Sequence, residues 1–244
     1  MDPTALSVTI LGCDGSFPGP AGACSGYLIR SDETNVWMDA GSGTMSNLQA
    51  HVRLQEVDAV IITHEHPDHW TDLEGLAIAF KWSLRRDGPV VFAPAGLREL
   101  MRVGAAADVF RWQTIDEGSV ESIGPLQLSF SRTDHSVPTF AVRAESRGRA
   151  LGYSADTGPG WGLSQLGRDI NLALCEATFL ADKEGTVQHL SARQAGSSAA
   201  KAQVERLVIT HITPGVDRDA ARIEATASFG GSVEVAAIGT RYEV

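Results

Sequence analysis

The most constraining feature of this chain is an apolar run, Val60-Ile61-Ile62, that breaks off into Thr63-His64-Glu65-His66-Pro67-Asp68-His69. The run has the composition of a buried strand, and Pro67 lacks the N–H needed to extend a ladder, so the strand must stop where the polar residues begin. Imidazoles and carboxylates packed this densely would repel and desolvate one another unless a cation sat among them, and both are ligands for divalent metals. The spacing H-x-H-x-D-H is therefore read as a metal site in preference to a solvated polar loop.

Two more apolar runs end in histidine: Phe130-Ser131-Arg132-Thr133-Asp134-His135 and Val208-Ile209-Thr210-His211. Alone, each histidine is more often a hydrogen-bonded structural residue; beside the first cluster both become candidate ligands. His51, in the last turn of a predicted helix, is expected at the surface. Asp156, ahead of Thr157-Gly158-Pro159, reads by itself as a turn former. Asp39, at another strand end, either orients a metal ligand or is an ordinary strand-end aspartate.

Alternation and breaker residues predict strands over 6–11, 26–30, 35–39, 57–62, 89–93, 110–115, 126–133, 140–144, 149–154, 170–175, 206–210 and 233–238. Helices are predicted over 44–52, from a Thr71/Glu74 capping box onward, over 95–103, over 192–201 behind a Ser191/Gln194 capping box, and over 217–229. Lys81, Arg85 and Arg86 suit the negative pole of the second of these, a simpler role than phosphate binding. Strands with intervening helices in both halves imply an α/β domain over residues 1–244, with two mixed sheets packed face to face and helices on the outer faces.

No run approaches the roughly 18 apolar residues of a membrane span, and Met1-Asp2-Pro3-Thr4 lacks the basic region of a secretory leader. A cytoplasmic protein is expected. Cys13, Cys24 and Cys175 form no C-x-x-C, so free thiols are expected rather than disulfides or a cysteine zinc site. The net charge of −10 works against broad attraction to nucleic acid and suits a small substrate.

The order H-x-H-x-D-H, His135, Asp156 and His211 resembles the metallo-β-lactamase superfamily, most closely its tRNase Z-like, two-metal branch. The resemblance implies the αββα sandwich, with His64, His66 and His135 on one metal, Asp68, His69 and His211 on the other, and Asp156 bridging. Two Zn2+ ions are implied, with manganese or iron compatible with mixed N/O donors. A water shared by such a pair would be acidified to a bridging hydroxide able to attack a phosphodiester. Cys175-Glu176-Ala177-Thr178 and His189-Leu190-Ser191 resemble the H-E-A-T and H-S-T motifs of that branch, with Cys175 standing where the family has histidine. The implied catalytic set is His189, protonating the leaving group, Glu176, orienting it, and Asp68. On their own residues, Ser191 is explained by helix capping and Glu176 by an exposed strand end.

Authentic tRNase Z enzymes carry a basic tRNA-gripping arm between the third histidine and the bridging aspartate. Here only twenty residues separate His135 from Asp156, so the arm is missing. The chain thus resembles short cyclic-nucleotide phosphodiesterases, with a small phosphodiester as substrate. The alternatives are a tRNA 3′-end endonuclease, a lactonase or β-lactam hydrolase, and, in a different class, a non-catalytic metal-binding protein or a di-iron redox relative. Trp161 and Phe179 are candidates for stacking a base and Arg132 for a phosphate contact, although packing is the commoner role of such aromatics. A homodimer is compatible with the resemblance.

Overall fold

The computed structural model describes residues 6–244, so the reading of Met1–Thr4 falls outside the described residues. The first half supplies β1 (Ser7–Gly12), β2 (Gly26–Ser31), β3 (Thr34–Ala40), β4 (Ala59–Ile61), β5 (Val90–Ala93) and β6 (Arg111–Thr114). The second supplies β7 (Val120–Ile123), β8 (Leu126–Arg132), β9 (Phe140–Ser146), β10 (Arg149–Tyr153), β11 (Leu172–Glu176), β12 (Arg206–Thr210) and β13 (Val233–Val235), before β14 (Arg241–Glu243) returns to the first sheet. The result is two seven-stranded sheets, ordered β14-β1-β2-β3-β4-β5-β6 and β13-β12-β11-β10-β9-β8-β7. Both are mixed: β1–β3 and β7–β10 pair antiparallel, whereas β3–β6 and β10–β13 pair parallel.

The two sheets bury one face against each other through Val8, Ile10, Tyr27, Met38 and Ile61 on one side and Phe130, Val142, Tyr153, Leu174 and Val208 on the other. Their outer faces are apolar too, which is why β4 and β12 read as continuous runs rather than alternating ones. Over the first sheet, Trp37, Val60 and Ile62 meet Leu48 of α1 (Thr44–Leu48) and Leu73, Leu76 and Ala77 of α2 (Asp72–Ile78). After the short α3 (Leu97–Leu100), α4 (Ala192–Ala202) and α5 (Arg218–Phe229) cover Ala173, Leu207 and Ile209 of the second sheet. A Cβ on Gly196 would lie 2.3 Å from the Ala225 carbonyl oxygen, so the α4–α5 contact depends on glycine.

The helices over the first sheet differ most from expectation. Residues 44–52 and 95–103 form helices of five and four residues. The Thr71/Glu74 capping box does not form: Thr71 has helical backbone angles and caps nothing, and Glu74 instead accepts from the Arg102 amide. Asp72 accepts from the Met45 amide at 2.8 Å, joining α2 to α1. The α2 rod continues as a π-helical turn, Ala79–Leu84, and Lys81, Arg85 and Arg86 at its end are exposed. The Ser191/Gln194 box forms in full at the start of α4. Strands β7 and β14 were not expected; β7 is an exposed edge and β14 has only three residues. All three cysteines are buried free thiols. Among the described residues no helix is long and apolar enough to cross a membrane.

Candidate metal centre

Strand ends build the site. β4 runs into Thr63-His64, β8 toward His135, β10 toward Asp156, β11 into Glu176 and β12 into His211, bringing donors from both sheets to one end of the sandwich. Several of these ends turn through the left-handed region: Asp39 (φ 55°), Ala155 (φ 49°) and His211 (φ 54°). Such a conformation costs a non-glycine residue about 1–2 kcal/mol and persists where surrounding structure over-determines it. At Ala155 the turn carries the chain from β10 to the donor Asp156, while Asp39 and His211 are themselves site residues.

Two groups of donor atoms result, each lying within 4.8 Å of one another. In the first, His66 Nδ1 is 3.1 Å from both His64 Nε2 and His135 Nε2, and Asp156 Oδ2 is 3.5 and 4.0 Å from the latter two. In the second, Asp156 Oδ1 is 3.2 Å from His69 Nε2 and 3.4 Å from His211 Nε2. Asp68 Oδ2 completes it, 3.2 Å from His211 Nε2 and 3.6 Å from His69 Nε2. The two oxygens of one carboxylate, Asp156, thus face different groups.

The donor chemistry fits cations better than a closed hydrogen-bond network. His69 Nε2 and Asp156 Oδ1 are buried and make no hydrogen bond although they lie close together. An orphaned buried polar atom carries a penalty of about 1–3 kcal/mol. His66 Nδ1 has a single in-plane lone pair, yet two imidazole nitrogens approach it. Burial, with His69 beside it, pushes His64 well below the ordinary histidine range, leaving its Nε2 lone pair free. Burial alone would raise Asp156, but His211, His69 and His64 hold its carboxyl well below the usual range.

The family model described as "Beta-lactamase superfamily domain" matches residues 34–212, from β3 to the residue after His211. The chain belongs to the β-lactamase superfamily. The similarity is spread over its whole length. YhfI of Bacillus subtilis, described as a probable metallo-hydrolase, is 30% identical over 98% of this chain and 100% of that protein. The crystal structure of that metallo-β-lactamase fold protein matches with a TM-score of 0.89, covering 99% of this chain and 100% of the other at 27% identity. A ribonuclease Z from Kineococcus radiotolerans is 27% identical over 96% of this chain and 93% of its own. The family and the αββα fold implied by the H-x-H-x-D-H resemblance are borne out.

In this superfamily member the donors are held from behind. Asp39 resolves in favour of an orienting role: it is fully buried, takes His69 Nδ1 at 2.8 Å, and accepts from the Thr63 amide and hydroxyl and from Tyr153 OH at 2.9, 3.0 and 2.9 Å. His64 Nδ1 meets Thr63 Oγ1 at 3.1 Å, His135 Nδ1 the Gln188 carbonyl at 3.2 Å, and His211 Nδ1 Thr178 Oγ1 at 3.0 Å. Each bond fixes which ring nitrogen faces the site. The Ser16 amide donates to Asp68 Oδ2 at 2.8 Å. Sequence reasoning missed Thr63, Tyr153, Thr178 and Ser16; only Thr63 and Thr178, inside the quoted motifs, carried a signal.

His189 stands next to both groups, its ring stacked on His211 at 5.5 Å and 17°. Its Nδ1 is 3.0 Å from Glu176 Oε1. Glu176 is completely buried, not an exposed strand end, and also accepts from the Thr157 amide, Thr178 Oγ1 and the Leu190 amide at 2.7, 2.6 and 3.1 Å. Burial pulls His189 down, but Glu176 and Asp156 outweigh it and hold it at about 9. Cys175 points into the α4 side, where burial raises its thiol.

None of the three candidate substrate contacts belongs to a donor group, although Phe179 directly follows Thr178. Trp161 is 5% exposed, packed with Leu163, Leu190 and Ala195, and donates to Ser131 Oγ at 3.2 Å. Phe179 is 6% exposed and its carbonyl accepts from the Ala192 amide. Both side chains are largely buried, although Trp161 lines a small cleft with Pro159, Leu190 and Arg193. Arg132 is exposed on β8, its amide held by Glu117. His51 lies apart from the donors, its carbonyl accepting from Arg30. A cleft of about 760 Å3 lies beside the loop after β1 and the start of α5, and none of the donors lines it.

Proposed function

We propose that this chain is a metal-dependent hydrolase of small phosphodiesters, cyclic nucleotides being the favoured class, with two zinc ions as its cofactor. The observation that carries the reading is the split carboxylate of Asp156, one oxygen in each donor group. His64, His66 and His135 would hold one cation and Asp68, His69 and His211 the other. Manganese or iron is compatible with the same mixed donors. When bound, such a pair supplies Lewis acidity for phosphoryl oxygens and an acidified water as nucleophile.

The residues of the chain account for the remaining requirement, a proton for the departing alkoxide. His189 Nδ1 is committed to Glu176, so the proton available to a substrate sits on Nε2. With its pKa raised to about 9, that nitrogen is protonated at neutral pH and serves as general acid. Glu176, fixed by three further hydrogen bonds, holds the ring in one orientation.

Size and charge favour a small substrate. The twenty residues between His135 and Asp156 form β9, β10 and a tight Arg147-Gly148 turn, leaving no length for an arm, and the net charge is −10. The ribonuclease Z relative favours a second reading, cleavage of tRNA precursors. Zinc-replete protein tested on cyclic mononucleotides, linear dinucleotides, a tRNA precursor, lactones and β-lactams decides between them. The first reading expects the highest kcat/KM on a cyclic nucleotide or other small phosphodiester. A higher value on the tRNA precursor supports the second, and turnover confined to lactones or β-lactams overturns both.

A further inference from the structure

The loop between β1 and β2 touches the metal centre on one side only. Gly15 lies against His211: a Cβ there would come 2.5 Å from the His211 carbonyl oxygen and 2.8 Å from Nδ1. The Gly15 amide donates to the Ile212 carbonyl and the Ile212 amide to the Cys13 carbonyl, both at 3.1 Å. Ser16, with φ 65°, aims its amide at Asp68 Oδ2, the oxygen that also faces His211 and His69. These contacts fall on Asp68 and His211 of the second donor group, and none of them falls on the first.

Beside these backbone bonds, an ion pair braces the loop against the second sheet's helices. Asp14 is buried; its Oδ2 accepts from the Gly19 amide at 2.9 Å, folding the loop on itself, and its Oδ1 takes Arg218 Nη2 at 2.6 Å. Arg218, the first residue of α5, also donates Nη1 to the Ala236 carbonyl at 3.2 Å, beyond β13. Removing Arg218 leaves the largely buried Asp14 carboxylate without its cation at the edge of the cleft and should loosen the loop that it folds.

We propose that Asp14 and Arg218 are a positioning pair for the second metal site: they seat the Gly15-Ser16 turn, and thereby Asp68 and His211, in the arrangement that would hold a second cation. The proposal rests on the two-cation reading above. The pair makes no contact with the first group, so its effect is selective.

The test is zinc affinity, measured on the full chain by competition with a chromogenic chelator, with circular dichroism as a check on folding. Asp14→Asn and Arg218→Gln should each weaken one of two zinc sites by about tenfold or more and leave the other unchanged, as loss of a ligand's support does elsewhere. Arg218→Lys, which keeps the charge, should recover most of the affinity. If the pair variants fail to fold, Gly15→Ala keeps both charged residues, pushes the turn off the His211 carbonyl and ring, and should show the same one-site loss. Two sites of wild-type affinity in the folded variants, or equal weakening of both, would overturn the proposal. Wild-type protein that binds only one zinc ion overturns the two-cation reading itself, before any variant is compared.

Discussion

The two donor groups share Asp156 but differ in how the fold supports them. In the second, His69 and His211 are essentially inaccessible and are braced by Asp39 and Thr178, while Asp68 is gripped by a backbone amide. In the first, His64 is fully buried and His66 is partly exposed with no hydrogen bond to a group behind it, while His135, its side chain buried, hangs on the Gln188 carbonyl in an irregular turn. All three residues of the second group are braced from behind, whereas in the first His66 has no such brace. The difference teaches that preorganisation here comes from buried hydrogen bonds behind the ligands rather than from the ligands themselves, so the groups should respond differently to the same insult.

The largest expected effect abolishes the comparison. Asp156→Ala removes the one ligand common to both groups; both zinc ions should be lost by elemental analysis, and hydrolysis should fall by about three orders of magnitude or more. Full occupancy in that variant would remove its bridging role. His189→Ala removes a ring that lies beside both groups but supplies no ligand to either in this reading. Metal content should stay at the wild-type level while turnover of substrates with alkoxide leaving groups drops about 100-fold or more. A p-nitrophenyl phosphodiester, whose phenolate departs without a proton, should lose much less; equal losses would rule out His189 as the acid.

Asp39→Asn sharpens the comparison. It replaces the carboxylate behind His69 and should weaken the second site by about 10- to 100-fold, with the first little changed. Chelation kinetics should show the same asymmetry in the unmodified protein: under excess chelator one zinc ion should leave in a fast phase, from the less braced group, and the other in a slower one. A single phase for both would erase the distinction. The smallest effect is expected at Trp161→Phe, which loses one hydrogen bond to Ser131 and about 1 kcal/mol of stability by thermal melting. KM should be unchanged; a large rise would return Trp161 to the substrate.

The fold was legible where burial imposes a pattern. Covered on both faces, β4 and β12 had to be continuous apolar runs, and the polar residues at their ends announced where they stop. The short helices over the first sheet were harder, because Thr71 and Glu74 have the spacing of a cap while the structure spends Glu74 on Arg102. Edge strand β7 and three-residue β14 bury too little to leave a periodic signal. Histidines at strand ends pointed to a metal, whereas the assignment of Asp156 and His189 came from resemblance, since neither stands out by composition. The Ser16 grip on Asp68 was not legible at all: every residue but proline has a backbone amide, and only the fold determines where it points.

The account stands on two cations sharing Asp156, and anomalous diffraction at the zinc absorption edge from crystals of zinc-replete protein tests it most directly. It predicts two peaks per chain, one among His64, His66 and His135, the other among Asp68, His69 and His211, with the Asp156 carboxylate between them. A single peak, or two peaks with Asp156 turned away from one of them, would contradict it.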